Sequence, residues 1–311
     1  MSILKQSAAF SPKTKTVVTV GTFDGVHLGH QKIISQVVAE ARKSGYAPTL
    51  LTFDPHPRKV LQPNVSMPLI QTLEERAQTL EGLGLEHMVV HPFTKAFSQL
   101  SAAAYVKEIL VDMLNVAHII IGHNHRFGKN RTANVEDLLH FGEVYGFEVT
   151  QISAEEIDNI SVSSTKIRTA LMQGDVTLAH SYLGHPFTLS GIVIQGQQRG
   201  RTLGFPTANI AIHHPDKIIP KNGVYAVSIT IGNVQHLGMM NIGINPTVNG
   251  QHQSIEVNIF DWSEDIYSQS VQVALIQRIR DEVKFESLNA LQKQLEKDKV
   301  TILAAHKTLH L

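Results

Sequence analysis

The 311-residue chain contains no cysteine, which excludes disulfides, zinc–thiolate centres and iron–sulfur clusters. It has no excess of either charge, since 27 Lys and Arg balance 27 Asp and Glu. Affinity for a phosphate backbone needs a basic surface, so this balance argues against a general nucleic-acid partner. No apolar run approaches the roughly 18 residues of a membrane span. The segment Met1 to Lys15 is polar, carries Lys5, Lys13 and Lys15 and lacks the apolar core of a signal peptide. No membrane partner is expected, and the expected location is the cytoplasm. The 17 histidines are scattered without an HExxH, and no internal repeat or low-complexity segment occurs. Length alone favours two domains.

The first half alternates two patterns. Apolar, strand-like runs occur at Val17–Val20, Thr49–Phe53, His87–Phe93, His118–Ile121 and Phe147–Ile152. Helix-like stretches at Lys32–Arg42, Leu73–Leu83, Ala102–Leu114 and Val135–Tyr145 separate them. Ile33, Ile34, Val37, Val38 and Ala41 recur with helical spacing. Short, near-continuous apolar strands between helices predict an α/β domain with a parallel sheet covered on both faces. Ligands of such sheets bind beyond the carboxyl ends of the strands. The loops at His27–His30, Asp54–Pro57 and Gly122–Arg131 all follow such ends.

A helical pair, Thr165–Met172 and Val176–Tyr182, leads to Gly184-His185-Pro186. The pattern then changes to short strands at Phe187–Ile194, Gly223–Ile231, Val234–Ile242, Ser254–Phe260 and Gln269–Ile279. Ile231-Gly232-Asn233 and Val248-Asn249-Gly250 read as turns between them. This predicts an antiparallel barrel or sandwich, with one last helix at about Leu288–Lys297. The domains are expected to be residues 1–184 and 185–311, meeting near 185.

The most informative segment is Gly21-Thr22-Phe23-Asp24-Gly25-Val26-His27-Leu28-Gly29-His30, a strand-to-helix turn. A helix N-terminus already favours anions, because its first N–H groups are unpaired. Imidazoles there can donate to nucleotide phosphates and stabilise charge on a transferred group. As a metal site, the pair lacks a third clustered ligand. The turn is neither Walker A nor GxGxxG, and Gly122 to Gly128-Lys129 is one residue too long for Walker A. Ser164 and Thr165 can cap a helix or offer hydroxyls, with the guanidinium of Arg168 one turn on. The prolines around His56 fix a strand exit that presents it, and alone that is only a turn.

A second constellation lies at Gly196-x-x-x-Gly200-Arg201-x-Leu203-Gly204-Phe205-Pro206-Thr207-Ala208-Asn209. The glycines let backbone N–H groups approach phosphate, though an ordinary glycine-rich hairpin reads the same way. Thr207 and Asn209, two apart on an extended segment, project to one side with hard oxygens suited to Mg²⁺.

The HxGH turn resembles the nucleotidyltransferase superfamily. The longer string Gly21-x-Phe23-Asp24-Gly25-x-His27-x-Gly29-His30-Gln31 resembles the prokaryotic bifunctional riboflavin kinase/FAD synthetase family. Three further motifs fit it: Thr52–Pro57, Gly122–Arg131 and Ser163–Arg168. The Gly191–Asn209 string closely resembles the riboflavin kinase domain. That match runs on through Pro220–Tyr225, Asn241–Thr247, Ile255–Asp261, Asp265–Tyr267 and Arg280-x-Glu282-x-x-Phe285.

The resemblance implies a Rossmann-like FMN adenylyltransferase domain followed by an antiparallel β-barrel riboflavin kinase domain with a C-terminal helix. It implies that His27 and His30 contact ATP phosphates during adenylyl transfer. Gly21, Phe23, Asp24, Gly25, His56, Asn124, Arg131, Ser164, Thr165 and Arg168 would complete that ATP/flavin site. In the kinase half it implies Gly196, Gly200, Arg201, Gly204, Pro206, Thr207, Asn209, Arg280 and Phe285 as ATP/flavin-binding. Thr207 and Asn209 would hold Mg²⁺, and Glu256 would act as base toward the ribityl 5′-hydroxyl. ATP, riboflavin and FMN would be the small-molecule substrates, with FAD the final product and no oligomer indicated. The chain departs from the family at Asn124-His125, where many members have Asp-Phe. It also has Thr132-Ala133 where a glycine is usual, and Ser268 after Asp265-x-Tyr267 where glycine is common. Asn124 can hydrogen-bond but brings no charge. The rival is a non-catalytic flavin- or nucleotide-responsive regulator on the same scaffold, which would predict altered His27, His30, Asn209 or Glu256; all four are intact.

Overall fold

A computed structural model describes residues 3–123, 125–153, 162–196, 200, 203–212, 214–247 and 250–309, without the side chains of 245–252 and 306–309. The chain forms two compact units, Met1–Ser164 and Thr165–Leu311.

The first unit is built on a six-stranded, all-parallel sheet. Its strands are β1 (Leu4–Gln6), β2 (Thr16–Val20), β3 (Ala47–Asp54), β4 (His87–Pro92), β5 (Val116–Gly122) and β6 (Glu148–Ile152), in the spatial order β1-β4-β3-β2-β5-β6. The chain steps outward from β2 through β3 to β4, then returns to lay β5 on the other side of β2. The strand order therefore reverses at β2, and a crevice opens beyond the carboxyl ends of β2 and β5.

Strand parity divides the core. Val17, Leu50, Met88 and Val90 face one way, against Ile34, Val37 and Val38 of α1 (Leu28–Ser44) and Leu80 of α3 (Leu73–Gly82). Val18, Leu51, Val89 and Ile119 face the other way, against Val106, Leu110 and Leu138. Burial on both faces explains the continuous apolar runs. Helix α1 stops at Gly45, whose φ of 70° is a left-handed cap. Capping boxes open α3 at Thr72/Glu75 and α5 (Val135–Tyr145) at Asn134/Asp137. The expected helix over 102–114 starts as α4 (Ala102–Ala104) and continues as a π-helix over Tyr105–Met113. Apolar periodicity identifies a helix there but not its hydrogen-bond spacing. Strand β1 and helix α2 (Pro57–Leu61) are too short to show any period, and the sequence reading missed both.

In the second unit, α6 (Ser164–Gln173) and α7 (Val176–Leu183) precede a closed barrel. Its strands are β7 (Thr188–Ile194), β8 (Ala208–Ala211), β9 (Gly223–Ile231), β10 (Val234–Thr247), β11 (Gly250–Ile259) and β12 (Ser270–Arg280), ordered β10-β11-β8-β7-β12-β9. Closure decides for the barrel over the sandwich and leaves no open edge. The unpredicted β8 closes the ring between β7 and β11. Gly232, with φ 59°, turns β9 into β10. The β10–β11 register closes at Thr247↔Gly250, so both strands are longer than expected; the residues between lie outside those described. Helix α8 (Leu288–Leu309) runs twelve residues past the expected Lys297, anchored by Ile302 against Val224, Ala226 and Met239. The helical pair belongs compactly to this unit: Lys221 N–H donates to the Leu171 carbonyl at 3.1 Å. Compactness therefore divides the chain about twenty residues ahead of the expected 184/185 junction.

Gly142, inside α5, tests the packing. A Cβ there would lie 2.6 Å from the Phe147 carbonyl oxygen. Alanine favours helix over glycine by about 1 kcal/mol, whereas overpacking costs roughly 1–3 kcal/mol. Gly142→Ala is therefore expected to lower the unfolding midpoint in calorimetry; a rise would show that helix propensity governs this site.

Candidate active sites

The crevice of the first unit holds a cavity of about 890 Å³. That is at the upper end for ligand pockets, as two substrates require. His27 is the N-cap of α1, and its Nδ1 accepts the backbone N–H of His30 at 3.4 Å. The two imidazoles stack with centroids 3.7 Å apart and planes at 15°, and Phe23 lies 4.5 Å from His30. Burial lowers the His27 pKa to about 4, against a backbone hydrogen bond and the Asp24 charge that raise it. Burial, then His27 and Arg76, push His30 well below its ordinary value. Both rings are therefore neutral near pH 7. His30 Nδ1 is buried without a hydrogen-bond partner. Two stacked, uncharged imidazoles at a helix N-terminus offer N–H donors to an anion without first repelling each other.

Asp24 builds this turn without lining the cavity. Its carboxylate is 1 % exposed and accepts the N–H groups of Ile70 (3.0 and 3.1 Å) and Gln71 (3.0 Å). Arg76, equally buried, lies 3.7 Å from it and donates to Thr52 Oγ1 and the Gln71 carbonyl. The Asp24 carbonyl accepts the Ser164 hydroxyl at 2.9 Å. Gly25 packs on Ile70 at φ 89°, where a Cβ would meet Cγ2 at 3.0 Å. Asp24 and Gly25 thus hold the turn in shape, and neither lines the cavity beside which their expected binding role would place them. Gly21, Phe23, His56, Arg131 and Ser164 do line the cavity with His27 and His30. His56 caps α2 through Nδ1, which accepts Arg58 N–H at 3.1 Å. Thr165 is exposed and Arg168 half-buried on α6 of the other compact unit. Asn124 lies outside the described residues.

One wall of the cavity escaped the sequence reading. Phe53, Phe93 and Phe97 stand 5.6 Å apart pairwise, and Tyr105 and Phe127 extend the row at 6.2 and 5.7 Å. Such a wall suits a flat conjugated ring. The available signal was aromatic residues at the carboxyl ends of two strands, Phe53 and Phe93. His125 also lines this wall, 6.0 Å from Phe127, and burial lowers its pKa to about 4 with help from Arg131.

In the barrel, register sets Glu256 of β11 directly opposite Asn209 of β8. The Thr207 hydroxyl donates to Glu256 Oε2 at 3.2 Å. Gly196 lies so close to Asn209 that any Cβ would collide with its carboxamide. The Gly200 carbonyl accepts Leu203 and Phe205 N–H at 3.1 and 2.9 Å, and Gly204 adopts φ 79°. The Pro206 carbonyl accepts Asn258 Nδ2 at 2.7 Å. Pro206 and Thr207 border a pocket of about 160 Å³ with Trp262, Asp265 and Tyr267. Arg280 is committed elsewhere: Nε and Nη2 meet Asp298 Oδ2 of α8 at 2.9 and 2.8 Å, while Phe285 lies 5.7 Å away. Arg201 lies outside the described residues.

Comparison with known proteins shows the family. A family model described as FAD synthetase matches residues 10–166, and one described as riboflavin kinase matches 183–306. The bifunctional riboflavin kinase/FMN adenylyltransferase of Listeria monocytogenes is 41 % identical over 91 % of this chain and 90 % of its own. The Escherichia coli protein of that name is 35 % identical over 94 % and 93 %. The chain belongs to the bifunctional riboflavin kinase/FMN adenylyltransferase family. It is an enzyme of flavin nucleotide synthesis carrying both domains, which leaves the non-catalytic regulator without support. A crystal structure from Streptococcus pneumoniae, described as a macrolide-efflux protein, shares the fold at TM-score 0.86 and 31 % identity, covering 96 % of this chain and 98 % of that one.

Two predictions follow the Asp24–His27 geometry. A histidine whose folded pKa is depressed binds fewer protons folded than unfolded, so stability is full above the unfolded pKa and falls as pH drops toward the folded one. With 6.5 unfolded and about 4 folded, His27 alone removes about 2 kcal/mol between pH 7 and 5. Calorimetry of wild type and His27→Phe should show the variant losing less stability over that interval; equal losses would contradict the buried neutral ring. Asp24→Asn replaces a charged acceptor with an amide whose NH₂ meets backbone donors, and breaking a buried pair costs roughly 3–5 kcal/mol. Expected are lower stability and impaired FAD formation with FMN formation retained, read by calorimetry and product chromatography. An active, equally stable variant would contradict the positioning role.

Proposed function

We propose that the first unit joins FMN to ATP, giving FAD and pyrophosphate, and that the barrel phosphorylates riboflavin with ATP, giving FMN and ADP. The observation that carries the first assignment is the stacked, neutral His27–His30 pair at the α1 N-terminus, facing an aromatic wall across one cavity. A phosphate oxygen of FMN attacks the α-phosphorus of ATP while pyrophosphate leaves from the opposite side. The imidazole N–H groups and the helix N-terminus stabilise the charge that develops. Arg131 and Ser164 border the same space, and Phe53, Phe97 and Tyr105 would face the isoalloxazine. By family resemblance Asn124 would join this site.

In the barrel, the riboflavin 5′-hydroxyl attacks the γ-phosphorus, its proton passes to Glu256, and ADP leaves. The glycine loop 196–204, with Arg201, would cover the phosphates, and the pocket beside Thr207 would take the ATP base. Among the described residues no group of three His, Cys, Asp or Glu could hold a metal. The fit to Mg²⁺ is instead the hard-oxygen set of Thr207 and Asn209 beside Glu256, an incomplete shell to which phosphate and water add ligands. Bound there, Mg²⁺ would neutralise the transferring phosphoryl group. Arg280 and Phe285 would border the flavin through the α8 anchor.

We place the functional junction at 184/185. The two family models end at 166 and begin at 183, which leaves the helical pair as the connector. Among the described residues no helix is long and apolar enough to cross a membrane.

Separate substitutions should divide the activities. His27→Ala or His30→Ala should cut FAD formation about 10²–10³-fold, the usual cost of removing one transition-state donor, and spare FMN formation. Glu256→Ala should cut FMN formation about 10²–10⁴-fold and spare FAD formation from supplied FMN, and Asn209→Ala should act in the same sense. Loss of both activities in one folded variant would contradict two independent sites.

A further inference from the structure

We propose that Glu282 is a positioning residue of the phosphoryl-transfer site, fixing the amide of Asn241 beside Glu256. This rests on the reading of Glu256 as the base. Strand register places Asn209, Glu256 and Asn241 on one rung across β8, β11 and β10. Directly paired residues face the same side of a sheet, about 4.5–5.5 Å apart at Cβ. Their chain neighbours Met240, Ile242, Ile255 and Val257 are buried, so the three polar side chains share the opposite face.

Thr207 closes one end of this row through its bond to Glu256. Glu282, just beyond β12, closes the other. Its Oε1 accepts Asn241 Nδ2 at 3.5 Å and its Oε2 accepts Asn222 Nδ2 at 3.3 Å. These bonds are long, and packing supplies the rest of the restraint. A Cβ on Gly243 would collide with Glu282 Oε1 and come within 2.9 Å of Asn241 Nδ2, so only glycine lets the carboxylate rest on the β10 backbone. Asn222 is anchored in turn: its carbonyl accepts Arg278 Nη2 at 2.7 Å, and Arg278 also binds Asp281 at 2.7 Å. Gln253 Nε2 donates to Asn222 Oδ1 at 3.3 Å.

The chemistry of the link is directional. An ionised carboxylate only accepts, so it must face the NH₂ of Asn241 and never its oxygen. The amide oxygen is thereby turned away from Glu282 and offered as an acceptor along the row. A hydroxyl-bearing acceptor substrate aligned by Glu256 would find that second acceptor already oriented. Without Glu282 the amide is free to flip and present N–H instead.

The test is steady-state kinetics of FMN formation by Glu282→Ala, Glu282→Gln, Asn241→Ala and the Glu282→Ala/Asn241→Ala double variant, with Glu256→Ala in parallel. Trp262, the single tryptophan of the chain, reports barrel folding by its emission. Glu282→Ala should lower kcat about 10-fold or more, as misorientation does, with KM for ATP nearly unchanged. Glu282→Gln keeps one acceptor oxygen but sets an NH₂ against the other amide donor, so it should recover only part of the loss, and the double variant should be no worse than Asn241→Ala. Unchanged kcat in Glu282→Ala, no recovery in Glu282→Gln, or a double loss equal to the product of the single losses would each overturn the proposal. If Glu282→Ala alters the tryptophan emission, the glutamine and Asn241 variants decide. Retained activity in Glu256→Ala would instead overturn the underlying assignment of the base.

Discussion

The buried Asp24 carboxylate is the constraint on which the proposed adenylyl-transfer site depends. Burying an ion is costly unless hydrogen bonds and a counter-charge replace water. Here two backbone N–H groups and Arg76 do so, and together they tie the turn after β2 to the start of α3. The turn needs that tie. Phe23 and Val26 adopt φ 48° and 40°, conformations that cost non-glycine residues of order 1–3 kcal/mol each. The same distortion sets His27 at the α1 N-cap, where its ring stacks on His30. Burial then keeps both rings neutral, which allows them to share one anion site.

The barrel reaches its site by another route. No strained turn carries Glu256; strand register does. Pairing of β8, β10 and β11 puts Asn209, Glu256 and Asn241 in one row, and glycines at 196 and 243 make room for side chains to lie against backbone. One site is thus set by a loop clamped through a buried charge, the other by rungs of a closed sheet.

Much of this was legible in the sequence because the signals were local. Continuous apolar runs pointed to the parallel sheet, and helical spacing of Ile33, Ile34, Val37, Val38 and Ala41 pointed to α1. The HxGH turn and the Pro206–Asn209 string pointed to the two candidate sites. What escaped depended on distant pairing. Strand β8 (Ala-Asn-Ile-Ala) is too short to show a period, and its pairing with β7 and β11 is what makes it a strand. The aromatic wall gathers Phe53, Phe93, Phe97, Tyr105 and Phe127 from separate segments. The resemblance names Asp24 and Arg280 among the binding groups, but it does not show that the Asp24 carboxylate turns toward Ile70 and Gln71 or that Arg280 is held by Asp298 of α8. The helical pair followed the first half in motif order yet packs compactly with the barrel, since a motif reports chemistry and not which core buries its helix.

The most direct measurement of the central claim, two sites acting in sequence within one chain, is a time course of products from riboflavin and Mg-ATP. Chromatography should show FMN rising first and FAD following, with ADP released in the first step and pyrophosphate in the second. Appearance of neither flavin nucleotide, or of FMN that never becomes FAD with ATP in excess, would contradict it.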